Sequence, residues 1–381
     1  HFSFDPRELP ALLFAGHNKF SLTDEVRQNL ARYVMDGGTI IADACCGWKD
    51  FAESFRHEME QTFPGRPLRK LLPDDPIYAA YYKLGNLTYK KADGSTEVGE
   101  PCLEGIDFGC RTGVIFSPID LTCGWDGHEH DRGLRVVIDQ ARFVGANLIT
   151  YVLGMFQLGR FLSTTKVYHE ATAPTRDDFV MAQLIHEGDW DPDPSAVHNL
   201  LKHVKDNSTL EVKFRRENVQ LKDPKTTTYP LLYMTGHREF VWSEEDRGRL
   251  RNYLMAGGML LADACCGRLA FDTAFRREIA KVFGAEADKY ALKKIPLDHP
   301  IYRIHYDIRR VEYTPRVRED FGPFEAPELE GITIDGRLAV VYSRYDLGNG
   351  WEQFPHAYSY GYKDESAMQI GTNVIVYAVT H

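Results

Sequence analysis

The 381-residue sequence has no apolar run of about 18 residues free of charge, so a membrane-spanning helix is excluded as its organising element. The nearest approach, Ala146 to Leu162, is broken by Arg160 and reads as a buried helix. Positive charge is in deficit. Against 45 Lys and Arg stand 55 Asp and Glu, a formal net charge of −10, which argues against nucleic acid or an anionic membrane as the partner. There is no Cys-x-x-Cys and no His-Glu-x-x-His, so the familiar zinc signatures are missing and neither a metal nor another cofactor is expected. The sequence also opens without Met: residue 1 is His, and no basic segment followed by an apolar one comes after it. What is present, 43% hydrophobic and 26% charged residues with 20 Tyr and 21 Phe, describes a globular chain long enough for two domains.

An internal repeat organises the chain. Leu12-Leu13-Phe14-Ala15-Gly16-His17 parallels Leu232-Tyr233-Met234-Thr235-Gly236-His237 at an offset of 220, and Ala42-Asp43-Ala44-Cys45-Cys46-Gly47 parallels Ala262-Asp263-Ala264-Cys265-Cys266-Gly267 at the same offset. The offset grows to 224 where Asp74 to Tyr78 meets Asp298 to Tyr302, and to 226 where Asp120-Leu121 and Gly124-Trp125 meet Asp346-Leu347 and Gly350-Trp351. So small a drift implies two copies of one fold: 1–157 as the first copy, 158–177 as a linker and 178–381 as the second copy. The second copy opens with a leader, residues 178–222, that reads as a strand (Phe179 to Ile185), a helix after Asp193-Pro194 and a strand from Leu210 to Phe214. Scaled from that leader, roughly 45 residues are expected upstream of His1. The alternative is a first copy without its opening strand-helix-strand unit, which leaves an unpaired sheet edge.

Each copy alternates strands and helices. Leu231 to Thr235 and Met259 to Ala262 are short apolar runs suited to strands buried on both faces. Ser243 with Glu244, Glu245 and Asp246 starts a helix, Leu250, Tyr253 and Leu254 continue it at helical spacing, and Gly257-Gly258 closes it. Phe271, Phe275, Ile279 and Val282 mark the next helix, Leu338 to Tyr342 a late strand and Ala367 to Val379 a closing helix. The pattern predicts an α/β chain of two tandem Rossmann-like domains, mostly parallel sheets with helices on both faces.

Ligands of such sheets lie beyond the carboxyl ends of the strands. That rule gathers the repeated polar residues into one crevice per copy. The first holds His17, Asp43, Cys45, Cys46, Asp120 and Trp125; the second holds Asp189, Trp190, His237, Asp263, Cys265, Cys266, Asp346 and Trp351. Cys265, or Cys45, sits at a strand-to-helix turn where the helix N-terminus favours a thiolate nucleophile, with His237 or His17 as base. The elbow pattern wants small residues two before and two after; around Cys265 these are Asp263 and Gly267, so half of it is met. Each candidate also has a plainer reading: a cysteine packed in the core, a Gly-His turn, Asp43 and Asp263 capping the following helix, Trp125 and Trp351 packing. His128, His130, Cys123 and Asp131 look ligand-like, but Phe354, His356 and Asn349 replace the first three in the second copy, so no metal centre common to both copies is expected. Of the seven cysteines, Cys102 and Cys110 bracket a short strand and could pair in an oxidising compartment.

The segments Gly188 to Trp190, Tyr229 to His237, Gly257 to Gly267, Leu297 to Tyr302 and Asp346 to Trp351 resemble the family called domain of unknown function 4159. The likeness covers nearly all of 178–381 and, shortened at its start, about 8–155. This resemblance implies a fold similar to the class I glutamine amidotransferase-like, flavodoxin-like superfamily, whose enzymes carry a cysteine on the elbow that is here Cys265 or Cys45. Neither a Gly-x-Cys-x-Gly motif nor a late His-x-Glu partner is present. Family members are often parts of larger bacterial proteins with export or membrane segments, which implies an extracytoplasmic location, periplasmic or secreted. The expectation is a non-catalytic binding or assembly module for a protein partner, another copy of the chain or a small polar ligand. The alternative is a cysteine-dependent hydrolase or amidotransferase-like enzyme with Cys265 as nucleophile and His237 or His356 as base; the surroundings of the Cys265 sulfur separate the two.

Overall fold

A computed structural model describes residues 4–164, 179–209 and 216–381. The chain divides into two compact units, residues 1–165 and 166–381, each an α/β domain. In the first unit β1 (Ala11–Gly16), α1 (Asp24–Met35), β2 (Thr39–Ala44) and α2 (Lys49–Thr62) make two successive strand–helix steps. Then come β3 (Arg69–Lys70), β4 (Leu87–Lys90), β5 (Thr96–Gly99), β6 (Glu104–Phe108), β7 (Arg111–Ser117), the short α3 (Thr122–Asp126), β8 (Arg135–Val136) and α4 (Ile138–Ser163). The main sheet runs β1-β2-β7-β6-β3, parallel across its first three strands and antiparallel beyond, and β5-β4-β8 form a small separate sheet.

The second unit repeats this plan with the leader in place. Its elements are β9 (Ala182–Leu184), α5 (Ala196–Asn207), β10 (Glu217–Val219), β11 (Leu231–Gly236), α6 (Glu244–Met255), β12 (Met259–Ala264) and α7 (Leu269–Phe283). They continue with β13 (Lys293–Lys294), α8 (Pro315–Phe321), β14 (Leu329–Ile334), β15 (Arg337–Ser343), α9 (Gly348–Glu352) and α10 (Asp364–Thr380). The sheet order is β10-β9-β11-β12-β15-β14-β13, parallel through β15. The register is shared between units: Gly16 pairs with Ala44 and Gly236 with Ala264, while Asp43 pairs with Ser117 and Asp263 with Ser343.

Alternation along the central strands explains both-face burial. Leu231, Tyr233, Met259, Leu261 and Val341 point to the layer built by α5 and α10, and Leu232, Met234, Leu260, Ala262, Val340 and Tyr342 to the layer built by α6 and α7. Helix starts follow local chemistry: Thr23 accepts from the Val26 N–H and Ser243 from the Asp246 N–H, each ahead of an acidic first turn. Gly38 and Gly258 are needed for close approach, because a Cβ there would meet the rings of Tyr33 and Tyr253 at 2.3 and 2.2 Å.

Several expectations shift in detail. α4 runs on to Ser163, into the segment read as linker, because Leu158 and Gly159 are still buried; 165–177 lie outside the described residues. So does the strand expected from Leu210 to Phe214, while β10 pairs in parallel with β9. Cys102 and Cys110 are not joined in a disulfide. No described helix is long and apolar enough to cross a membrane. Among the described residues β1 is an edge strand of the first unit's sheet, and Leu13 is 57% exposed where its repeat mate Tyr233 is 1% exposed under the layer containing α5.

Candidate functional site

In both units the strand β2 or β12 runs directly into a Cys-Cys-Gly turn ahead of the next helix. The first cysteine keeps ordinary backbone angles. The second does not: Cys46 has φ 57° and Cys266 φ 52°, the left-handed region that glycine prefers and that strains other residues. In the second unit this turn is tied down by Asp346, whose carboxylate accepts the Cys266 N–H and, at 2.8 Å, the Asn349 N–H at the start of α9. Burial, with the Asp193 and Asp263 carboxylates nearby, pushes the Asp346 carboxyl well above its usual range.

The two thiols have different neighbours. Cys265 has no exposed surface, and its Sγ donates to Asp193 Oδ2 at 3.3 Å. Cys266 is 8% exposed and accepts at Sγ from Asn349 Nδ2 at 3.4 Å; the same amide reaches Ser359 Oγ at 2.7 Å. His237 follows the end of β11, with Nδ1 2.7 Å from Asp189 Oδ2 and a ring nitrogen within 4.8 Å of both sulfurs. Burial alone would depress its pKa, but Asp189 and Cys266 outweigh that and raise it well above the usual histidine value. The same balance acts on His356: burial opposes protonation, and Cys266 with Glu352 pushes the pKa up to about 10. Both His356 ring nitrogens and Glu352 Oε2 are buried without a hydrogen-bond partner, Nε2 standing 3.7 Å from that oxygen. A cleft of about 960 Å³ reaches Asn349, His356 and Ser359, with Arg318, Glu312 and Lys363 along its walls.

The first unit keeps the frame and changes the partners. Asp120 Oδ1 accepts the Cys123 N–H at 3.2 Å, and Oδ2 pairs with His130 Nε2 at 2.7 Å. Cys45, Cys46 and Cys123 bring three sulfurs together, 3.6 Å apart for Cys45–Cys123 and 4.0 Å for the other two pairs. Burial pushes the Cys46 and Cys123 thiols up, and Cys45 and Asp120 add to it for both. His17 is exposed, lies edge-on to Trp48, and has a ring nitrogen within 4.8 Å of the Cys45 and Cys46 sulfurs.

The structure therefore brings His17, Cys45, Cys46 and Asp120 together in one unit and Asp189, His237, Cys265, Cys266 and Asp346 in the other. The remaining candidates hold the scaffold. Asp43 accepts from the Leu121 and Thr122 N–H groups, and Asp263 from Leu347 and Gly348, so they cap α3 and α9 rather than the helix that follows them. Trp125 and Trp351 each donate Nε1–H at 2.8 Å to a helix carbonyl, Ala141 or Ala367. Trp190 packs under the Arg216 guanidinium, 5.7 Å from the ring centroid. Sequence reasoning missed Asp193, read as a helix cap, and set Cys123 and Asn349 aside because they differ from each other.

Comparison with family models gives one match, to Domain of unknown function (DUF4159), over residues 4–153 and again over 180–379. None of the curated proteins compared with the chain matches it.

Proposed function

The chain belongs in two copies to the DUF4159 family, and we propose that it is a non-catalytic binding protein whose second unit takes a small polar ligand in the cleft beside His356 and Asn349. One observation carries this reading. The thiol expected as nucleophile is closed off and already donates to Asp193, whereas His356 and Glu352, an ion pair at 3.7 Å, present buried polar atoms with no hydrogen-bond partner. Such atoms are costly to bury and are satisfied when a ligand supplies the missing groups. The parallel strands run β10-β9-β11-β12-β15, an order that reverses between β9 and β11, the point at which open α/β sheets take ligands. The loops after these two strands carry Asp189 and His237, a second polar pair apart from the lining of the His356 cleft.

A second reading rests on Cys266. With His237 held as an imidazolium beside it and Asp189 orienting the ring, the left-handed cysteine has the partners of a thiolate nucleophile. Native-state alkylation with iodoacetamide, read by mass spectrometry, separates the two. Cys265 and Cys266 should stay unmodified at neutral pH until the chain is denatured. Rapid labelling of Cys266 that disappears in His237→Ala would replace the binding reading with the enzymatic one.

A further inference from the structure

We propose that the first unit binds a thiophilic divalent metal ion of the zinc class through the sulfurs of Cys45, Cys46 and Cys123, with the His17 imidazole as fourth ligand. This site is separate from the second unit's cleft and does not depend on how that cleft is read. A tetrahedral ion with metal–sulfur bonds of about 2.3 Å sets its sulfur ligands ~3.8 Å apart. The three sulfurs here stand 3.6, 4.0 and 4.0 Å from one another, already one face of such a tetrahedron.

The convergence is made by the fold, which is why no Cys-x-x-Cys announces it. Two of the cysteines follow β2 directly and the third stands in the first turn of α3, 77 residues on from Cys46. Adjacent residues in an extended strand point to opposite faces; the left-handed φ of 57° at Cys46 breaks that alternation and lets both sulfurs address one point. The His17 ring, on the loop after β1, lies on the Cys45–Cys46 edge. Asp120 fixes the Cys123 backbone from behind. His130 has both nitrogens engaged, Nε2 with Asp120 and Nδ1 with the Arg132 N–H at 3.2 Å, so this pair supports the site as an outer layer.

The second unit supplies the contrast. Asn349 stands where Cys123 does and gives the neighbouring sulfur an amide donor. In the first unit that donor is replaced by a third sulfur, so the three atoms offer one another only weak thiol donors. A bound divalent ion would satisfy all three at once. Binding displaces the three thiol protons to solvent and leaves three thiolates on the ion, with no change of oxidation state.

Co²⁺ serves as the probe, because zinc itself absorbs no visible light. The reduced, metal-stripped full chain should develop sulfur-to-cobalt charge-transfer absorption with tetrahedral ligand-field bands, saturating at a single ion per chain and bleached by Zn²⁺. Cys123→Asn, the residue the second unit tolerates, should leave the circular dichroism unchanged and weaken Zn²⁺ binding at least ~100-fold; His17→Ala should weaken it about tenfold and shift the ligand-field bands. Zn²⁺ should protect Cys45, Cys46 and Cys123 of the unaltered chain from alkylation, a readout that needs no variant. Absence of the charge-transfer band, its persistence in Cys123→Asn, its loss in Cys265→Ser, or a Cys45–Cys123 disulfide in reduced protein would each overturn the proposal.

Discussion

His186 lies against the end of β11, its Nδ1 accepting the Gly188 N–H at 3.0 Å and its Nε2–H donating to the Thr235 carbonyl at 2.8 Å. Both nitrogens are thereby committed to the neutral ring. Burial between Phe240 and Phe271 carries its pKa from 6.5 down to about 4. The unfolded chain takes up a proton that the folded one refuses, so the contribution to stability is complete above pH 6.5 and is lost as pH falls through about 4. Its ceiling is about 3 kcal/mol. Urea midpoints measured across that window should fall more steeply with acid for the native chain than for His186→Gln; equal slopes would remove His186 as the cause. At this scale the repeat exposes the paired Cys, His and Asp positions. It cannot say which of two adjacent cysteines meets a partner, because that is decided by a left-handed φ. Nor can it join His237 to Asp189, 48 residues apart.

α5 is held by shape as much as by apolar area. Leu200 is fully buried, and a Cβ added to Gly371 on α10 would sit 2.7 Å from it, so the two helices approach closely at that point. Leu200→Ala should cost about 2–5 kcal/mol in chemical denaturation, since a site packed so tightly collapses only in part. A loss below ~1 kcal/mol would mean that the contact is looser than the geometry requires. The element pattern was legible where apolar spacing is strong, as in α6, α7 and β11. It was less so at the start of α5, where Asp193 turns to the Cys265 thiol and the helix begins after Ser195. β13 was invisible: its two residues, Lys293 and Lys294, are exposed and carry no apolar signal.

Over the whole molecule the repeat predicts buried interactions as well as residues. Arg111 donates to the Gly38 and Val34 carbonyls and Arg337 to those of Gly258 and Leu254. Asn147 satisfies the backbone of Tyr82, and Asn373 that of Tyr306. What the repeat could not show is where the copies diverge in chemistry, since a position that differs between them looks unimportant until its neighbours are known. Charge acts at this scale too. With a net charge of −10, the chain should leave duplex DNA unretarded in a native gel at physiological salt; a salt-sensitive shift would contradict the reading of its partners.

Cys46 and Cys266 hold backbone angles that a glycine would adopt without strain, and each cysteine raises the free energy of its folded unit by about 1–2 kcal/mol. Exchanging either for glycine should therefore relax the turn while deleting its sulfur. The chain carries this strained residue twice, with glycine as the very next residue both times. Each unit therefore gives up folding free energy at the same turn, and the stability gained on the glycine exchange measures how much.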